Sequence, residues 1–505
     1  MKTALISVYK KDGILEFTRE LVRRNFQIIS TGGTYKHLSE NGIEVKKIDE
    51  LTGFPEILGG RVKTLHPNVF GGILADRNNE SHARDMKEKN LSYIDLVVVN
   101  LYPFQETISK SGVTHAEAIE QIDIGGVSLI RAAAKNHRYT AILTNPAQYG
   151  DFLKEYDKDN NIAGEALIRY ASEAFRNAAE YDIAISDYFK KINKEEKPEF
   201  IHLRETRHLR YGENPHQNAE LYKENFDEIF KVLHGKEISY NNLLDIDAAI
   251  SIINEFKDDA PATVIVKHGN PCGIAVRENL TDSYTTAFST DTESPFGGII
   301  IFNRNLDFKT SQEVDKLFTE IILAPEFDKD AFELLSKKKN RRLIEYKFFN
   351  NKFDLKRING GYLYQEKDGI VLNEKELKFV TKRQPGEAMM KDALFAFKTV
   401  KHTKSNAVVF VKDGRTLGIG GGQPSRVDST KIAIMKSVQF GLDLKGSIAA
   451  SDAFFPFADS IEALAKAGAE CVIQPGGSVR DDEVIEAADK HNLVMIFTGI
   501  RHFKH

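Results

Sequence analysis

Short apolar, β-branched runs at 4–8, 27–30 and 96–99 alternate with amphipathic stretches such as 14–24 over the first two hundred residues. Runs of that length between helical patterns predict strands of a parallel sheet with helices on both faces. A Lys/Glu-rich stretch at 190–198 breaks the pattern and ends on Pro198. It buries no face and disfavours continued helix, so it predicts a boundary between a domain over 1–195 and a region over 196–505. Alternation then resumes, with a strand expected over 262–266 and a helix over 315–322. Near the end, helix (461–467), strand (470–473), helix (482–490) and strand (493–497) form one βαβ crossover. An internal seam is expected near 378–385, and no sequence repeat or low-complexity tract is visible. The fold class is α/β throughout.

Composition narrows the function classes. The chain has 505 residues, more than one hydrophobic core accommodates. Its 69 basic and 73 acidic side chains leave a formal net charge of −4, so no global field draws it to nucleic acid or an anionic membrane. The basic run Lys337-Lys338-Lys339-Asn340-Arg341-Arg342 reads as a solvated surface loop. Two cysteines, Cys272 and Cys471, supply neither a disulfide framework nor a cysteine-rich zinc site and fit a reducing compartment. The first eight residues run into a strand-like segment without a signal-peptide pattern, and no window reaches the ~18 apolar residues of a membrane helix. A cytoplasmic location is expected.

Three Gly-Gly segments carry candidate chemistry in the first domain. Ser30-Thr31-Gly32-Gly33-Thr34 follows an apolar strand and precedes a helical pattern over 35–41. Glycines let the backbone approach a ligand and the helix start offers unpaired N–H groups, so this loop suits a phosphate, although alone it reads more often as a tight turn. Gly59-Gly60-Arg61-Val62-Lys63-Thr64-Leu65-His66-Pro67 presents three cationic residue types behind another glycine pair. Asp123-Ile124-Gly125-Gly126 opens a helical run carrying Arg131 and Lys135. Together they predict a phosphorylated small molecule bound at the carboxyl ends of the strands. Asn100, Tyr102 and Phe104 follow a strand at the same edge, where the two aromatics read equally well as loop packing.

Gly60-Arg-Val-Lys-Thr-Leu-His-Pro67, Asn100-Leu-Tyr-Pro-Phe104, Asp123-Ile-Gly-Gly-Val127 and Ala132-Ala-Ala-Lys-Asn-His137 resemble the cyclohydrolase domain of bifunctional AICAR transformylase/IMP cyclohydrolase. Leu209-Arg-Tyr-Gly-Glu-Asn-Pro-His-Gln217, Val266-Lys-His-Gly-Asn-Pro-Cys-Gly273, Gly418-Ile-Gly-Gly-Gly-Gln-Pro-Ser-Arg426, Ser451-Asp-Ala-Phe-Phe-Pro-Phe457 and Arg501-His-Phe-Lys-His505 resemble its transformylase half. The motifs span essentially the whole chain in order. The resemblance implies an N-terminal methylglyoxal-synthase-like parallel-sheet domain followed by two cytidine-deaminase-like α/β/α units. It implies formyl transfer from 10-formyltetrahydrofolate to the 5-amino group of AICAR, then cyclodehydration of formyl-AICAR to IMP. It also implies a homodimer; the partners are small molecules, with no nucleic acid, membrane or zinc, and a monovalent cation is left open.

Cyclisation brings the carboxamide nitrogen onto the formyl carbon of one molecule, so holding that rotamer and moving protons are the protein's tasks. By resemblance Lys135 transfers the proton, and Lys63, Tyr102 and Asp123 line the reacting edge. Lys11, Thr31, Gly32, Gly33, Thr34, Arg61 and Thr64 are implied to hold phosphate and ribose, with Asn100 and Ile124 near the base. The chain departs from the family pattern at Tyr9-Lys10, where many relatives carry Ser-Asp. Formyl transfer calls for a base beside a poorly nucleophilic amine and a cation near the oxyanion. His268 and Lys267 are implied for these roles; on spacing alone His268 reads equally as a structural strand-end histidine. Arg210, Tyr211, Arg426 and Arg501 are implied to hold AICAR, with Asn406, Glu320 and Gly297 beside it. Glu320 stands where some relatives have aspartate. Val427, Phe454, Asp459, Ser478 and Val479 are implied for the folate, and the terminal His505 to assist.

Two other classes compete. A zinc deaminase pairs His-x-Glu with Pro-Cys-x-x-Cys; His115-Ala116-Glu117 and Pro271-Cys272 occur, but Ala275 replaces the second thiol and the fragments fall in different domains. A nucleotide-sensing module needs phosphate contacts but neither Lys135 with Lys63 nor Lys267 with His268.

Overall fold

The computed structural model describes residues 1–195, 203, 206–370 and 372–505. Two compact units divide the chain, Met1–Ile201 and His202–His505. The helix Gly164–Asn193 runs through the first residues of the charged stretch expected as a boundary; positions 196–198 of that stretch lie outside the described residues.

In the first unit five parallel strands form one sheet, ordered Lys46–Lys47, Phe26–Ser30, Lys2–Val8, Leu96–Asn100, Ala141–Leu143. Strands covered on both faces are apolar throughout, and Leu96 to Val99 are buried almost completely. The helix Ile14–Arg23 turns Ile14, Phe17, Thr18 and Leu21 inward, at the spacing of one helical face. Strand order reverses between Lys2–Val8 and Leu96–Asn100, whose register pairs Val8 with Asn100, while Ile6 pairs with Ser30. The chain therefore leaves three adjacent strands at one carboxyl edge, the switch point where open α/β sheets bind ligands.

The second unit has a 12-stranded mixed sheet. Its halves repeat one plan, although the sequence shows no obvious repeat. In one half the hairpin Ala262–Lys267/Asn270–Val276 is followed by Ile299–Phe302, Ile321–Ala324 and Arg342–Tyr346, parallel to one another. In the other, Val408–Lys412/Arg415–Gly420 is followed by Ser447–Ser451, Ala469–Gln474 and Val494–Phe497, again mutually parallel. Strands Asn270–Val276 and Arg415–Gly420 join the halves. Within 378–385, Lys378–Phe379 adds an edge strand beside Val494–Phe497.

Two expectations are corrected. The stretch 315–322 is not a helix: Phe308–Asp315 ends there and the strand Ile321–Ala324 begins. The spacing of Val314, Leu317, Phe318, Ile321 and Ile322 imitates a helical stripe, but Ile321 and Ile322 enter different cores on opposite faces of the sheet. The basic run 337–342 is not simply a solvated loop. Arg341 and Arg342 are buried; Arg341 pairs with Asp315 at 2.6 Å and Arg342 donates to the Glu237 carbonyl at 2.7 Å.

Candidate active site

Each unit gathers its own set of polar groups. At the carboxyl edge of the first unit lies a cleft of about 790 Å³. It is lined by Lys11, Thr31, Gly33, Thr34, Arg61, Lys63, Thr64, Asn100, Tyr102, Asp123 and Ile124, all expected there, together with Ser7, Glu56, Glu120 and Ile122. Thr31 is the N-cap of Gly32–Glu40 and makes no side-chain bond to the first turn; its hydroxyl meets Ser7 at 2.9 Å. The helix start thus keeps amide donors for an anion. Gly32 has φ +41, a conformation that favours glycine, and the Lys63 ammonium lies 3.6 Å from where a Cβ would stand.

Lys11 donates to the Thr34 hydroxyl at 2.9 Å. Burial, and then the Lys63 charge, push Lys11 below the ordinary lysine range. Burial pushes the Asp123 carboxyl up, against the amides of Gly126 and Tyr102 and the charge of Lys63. Asp123 accepts from the Gly126 amide at 2.6 Å at the start of Gly125–Lys135. A Cβ on Gly126 would lie 2.5 Å from that carboxylate, which explains the glycine.

Several expected residues also have structural partners. Asn100 accepts from the Lys10 amide at 3.0 Å and donates to the Lys10 carbonyl at 2.9 Å, bracing the Tyr9-Lys10 loop. His66 caps the helix Pro67–Leu74, its Nδ1 accepting from the Asn68 amide. Lys135 is exposed at the last turn of Gly125–Lys135, ~15 Å along the axis from the end that lines the cleft at 1.5 Å per residue. One chain therefore does not bring Lys135 to the cleft. Phe104 is fully buried against Tyr181 and Tyr188, whereas Tyr102 faces the cleft edge-to-face with Tyr9.

In the second unit, Lys267 and His268 end the strand Ala262–Lys267, and His268-Gly269 form a two-residue hairpin turn, Lys267 pairing with Asn270. Both turn residues have positive φ, 52° and 73°. Asn, Asp and Gly favour such a turn, so a histidine held there is strained, a mark that clusters at functional sites. The Gly269 amide donates to Asp245 at 2.6 Å, and Lys267 Nζ donates to the Phe296 carbonyl at 2.8 Å. Both side chains line a recess of about 410 Å³ with Cys272, Asp291, Ser294 and Lys436. Burial pushes the Cys272 thiol up to about 12, leaving it a poor nucleophile.

Two neighbouring groups flank this turn. On one side Ile299 pairs with Val266 and Ile321, setting Gly297, Glu320 and Lys267 at one sheet edge. Gly297 has φ +73, and Glu320 accepts from Asn242 at 3.0 Å and lies 3.7 Å from Arg342. Arg210 stacks on Tyr211 and donates to its hydroxyl at 2.6 Å; the charges of Glu320 and Arg210 both act on Arg342, which places the three together. On the other side the Lys404 amide donates to Asn270 at 3.0 Å, bringing 404–406 beside the turn. Asn406 donates to the carbonyls of Gln423 and Pro424 at 2.9 and 3.0 Å. Arg426 donates to Ser451 and Asp452 at 2.7 Å each, and Asp452 also accepts from Ser405 at 2.6 Å.

The C-terminal tail is tied into this second group. The His502 amide donates to the Asp452 carbonyl at 2.9 Å, and Ser405 exchanges bonds with Lys504 at 2.9 and 3.0 Å. Burial lowers Lys504. Arg501 packs on Phe503, and His505 is exposed beside the same ring. Phe454 and Asp459 follow the strand Ser447–Ser451, and Ser478 and Val479 follow the adjacent Ala469–Gln474; Arg480 over Phe457 at 4.9 Å links the two loops. Val427 is next to Arg426. Phe454 and Val479 are exposed.

The zinc fragments find structural uses. Glu117 completes a capping box with Thr114, and His115 stacks on Tyr188. Among the described residues no group of three or more His, Cys, Asp or Glu is placed to hold a metal ion, and no helix is long and apolar enough to cross a membrane.

A cleft at a sheet switch point in one unit, where Lys11, Arg61 and Lys63 meet a helix start, and a strained Lys-His turn flanked by arginines in the other, define a two-site α/β enzyme acting on phosphorylated small molecules. Residues 133–436 match the profile of the AICARFT/IMPCHase bienzyme family, and residues 13–128 that of the MGS-like domain. The bifunctional purine biosynthesis protein PurH of Chlorobium phaeobacteroides (strain BS1) is 49% identical, with 100% of this chain and 99% of that protein covered. Its namesakes from Caldicellulosiruptor saccharolyticus (49%) and Thermoanaerobacter sp. (50%) are covered completely, as is this chain. The chain belongs to the AICARFT/IMPCHase bienzyme family: it is a bifunctional AICAR formyltransferase and IMP cyclohydrolase of purine biosynthesis.

Proposed function

We propose that the second unit transfers the formyl group of 10-formyltetrahydrofolate to the 5-amino group of AICAR, and that the first unit closes formyl-AICAR to IMP. The observation that carries this division is the left-handed turn presenting His268 beside Lys267, in a different compact unit from the Lys11–Lys63 cleft. We assign the domains as 1–195 and 196–505, the latter as two cytidine-deaminase-like halves; the repeated hairpin-plus-three-strand plan supports this. A homodimer in the cytoplasm completes the reading.

In formyl transfer the AICAR amine attacks the formyl carbon. His268 Nε2 or Nδ1 takes the amine proton as the C–N bond forms, and Lys267 stabilises the oxyanion. Collapse then expels the folate nitrogen, which takes the proton held by His268. Arg210, Arg426 and Arg501 supply cations for the nucleotide phosphate, Tyr211, Asn406, Glu320 and Gly297 frame its polar groups, and His505 assists from the docked tail. Phe454, Val427, Asp459, Ser478 and Val479 receive the folate.

In cyclisation the phosphate rests on Lys11, the Thr31–Thr34 helix start, Arg61 and Thr64, which holds the carboxamide nitrogen against the formyl carbon. Lys63, Tyr102 and Asp123 move the protons lost and gained as water leaves. Lys135 is assigned the proton transfer by its family motif; it is exposed at the far end of Gly125–Lys135, so it reaches a cleft only in the assembled homodimer. Incubating the protein with AICAR and 10-formyltetrahydrofolate tests the whole assignment: tetrahydrofolate and IMP are the expected products, and binding of nucleotide without either product overturns it in favour of a sensor.

A further inference from the structure

The phosphate-gripping groups of the first unit face two carboxylates that the proposed chemistry does not use. Glu120 forms an ion pair with Arg61, and both side chains line the cleft. Glu56 also lines it. Its Oε2 lies 4.0 Å from the Cβ position of Gly32, the first residue of the anion-binding helix, with Lys63 Nζ 3.6 Å from the same point. Its Oε1 lies 2.6 Å from the Cβ position of Gly60, a residue with φ +95.

Glu56 and Glu120 thus stand at the helix start and the arginine where the cleft receives an anion. A phosphate dianion seated at that helix start and arginine is repelled by these carboxylates. Neither glutamate is held by burial: both are exposed, so each moves aside at the cost of a solvent-screened contact.

We propose that Glu56 and Glu120 are resident carboxylates of the phosphate seat, specificity-determining residues that a ligand phosphate displaces on binding. This rests on the assignment of the cleft as the cyclohydrolase site. Ligand binding becomes an exchange of one anion for another: a phosphorylated ligand breaks the Arg61–Glu120 pair and moves Glu56 off the helix start. The same exchange runs backwards on release, when the carboxylates return to the cations and help expel IMP, the phosphorylated product. A ligand without phosphate leaves both in place.

The experiment is calorimetric titration of the full-length protein with IMP and with inosine, for the parent and for Glu56→Gln, Glu120→Gln and Lys11→Ala. Each glutamine variant keeps the side-chain shape and removes one charge, so IMP is expected to bind about three- to tenfold more tightly while inosine binding is unchanged. Lys11→Ala is expected to weaken IMP. Unchanged or weaker IMP binding by both glutamine variants, with Lys11→Ala weakened, overturns the exchange and leaves the site assignment standing. A tighter grip on IMP and inosine alike also overturns it, because the gain would then not arise at the phosphate. If Lys11→Ala leaves IMP binding intact as well, the cleft assignment falls and the exchange with it.

Discussion

The Gly269 amide donates to the Asp245 carboxylate at 2.6 Å, and at the matching place in the other half-sheet the Gly414 amide donates to Asp392 at 2.7 Å. Each carboxylate comes from a helix preceding its hairpin, Tyr240–Ile253 or Glu387–Lys401. The second turn, Asp413-Gly414, has φ values of 50° and 62°, like His268-Gly269. The scaffold for a left-handed two-residue turn is therefore built twice, and one copy carries histidine where the other carries aspartate.

Asp245 is accordingly a positioning residue for His268. Asp245→Ala frees the turn without touching the lysine–histidine pair, and a displacement on the order of 1 Å costs about a hundredfold in rate. Steady-state formylation of AICAR is expected to fall by roughly 10- to 100-fold in kcat, with cyclisation of supplied formyl-AICAR unchanged.

Asp452 is fully buried beneath Arg426, whose side chain is 9% exposed. Burial lowers Arg426 and the Asp452 carboxylate opposes that. Removing the partner of a buried charge costs about 3–5 kcal/mol, so Asp452→Ala is expected to lower the denaturation midpoint strongly and to impair formylation. Chemical denaturation monitored at several pH values checks both the loss and its origin.

Acid sensitivity is expected from the buried Glu255–His402 pair, 3.0 Å apart. Burial pushes His402 down to about 4, against its hydrogen bond to Glu255. Burial would raise Glu255, but the His402 hydrogen bond and the His402 and Lys401 charges outweigh it and bring the carboxyl down to about 2. Below pH 6.5 the unfolded histidine takes a proton that the folded one refuses, so stability present above that pH is lost as pH falls towards 4. Glu255, held below its ordinary value by the same pair and by Lys401, shares in that loss as pH falls further. The His402 part is worth about 3 kcal/mol at 1.36 kcal/mol per unit. His402→Gln is expected to flatten the stability profile between pH 6.5 and 4; an unchanged slope there assigns the acid sensitivity elsewhere.

Lys63 stands against Gly32 and its charge acts on both Lys11 and Asp123. Lys63→Ala is expected to slow closure of formyl-AICAR by about a hundredfold and to leave formyl transfer to AICAR intact, measured by tetrahydrofolate release.

Much of the first cleft was legible in the chain because its parts are local. The glycine pair of Thr31-Gly32-Gly33-Thr34 and the Asp123 cap both sit where a strand or loop feeds a helix, and such junctions have residue signatures. For Lys135 the motif fixes order along the chain but not reach within one chain: Gly125 and Lys135 stand at opposite ends of an 11-residue helix. Glu56 and Glu120 carried no motif and emerged only when the loop folded back over Gly32. The 315–322 stretch failed because a helical spacing of apolar residues served two faces of a sheet. His268 had a signal that went unread: Lys-His-Gly-Asn and Lys-Asp-Gly-Arg each stand between apolar runs, and Asp-Gly in that setting marks a two-residue hairpin.

His268 acts as the base of formyl transfer and takes no part in ring closure. His268→Ala should be assayed twice, with AICAR plus 10-formyltetrahydrofolate and with formyl-AICAR alone. Formylation is expected to fall by at least about a hundredfold while IMP forms from formyl-AICAR at the parent rate. Formylation at the parent rate, or equal loss of both activities in a protein that melts like the parent, contradicts it.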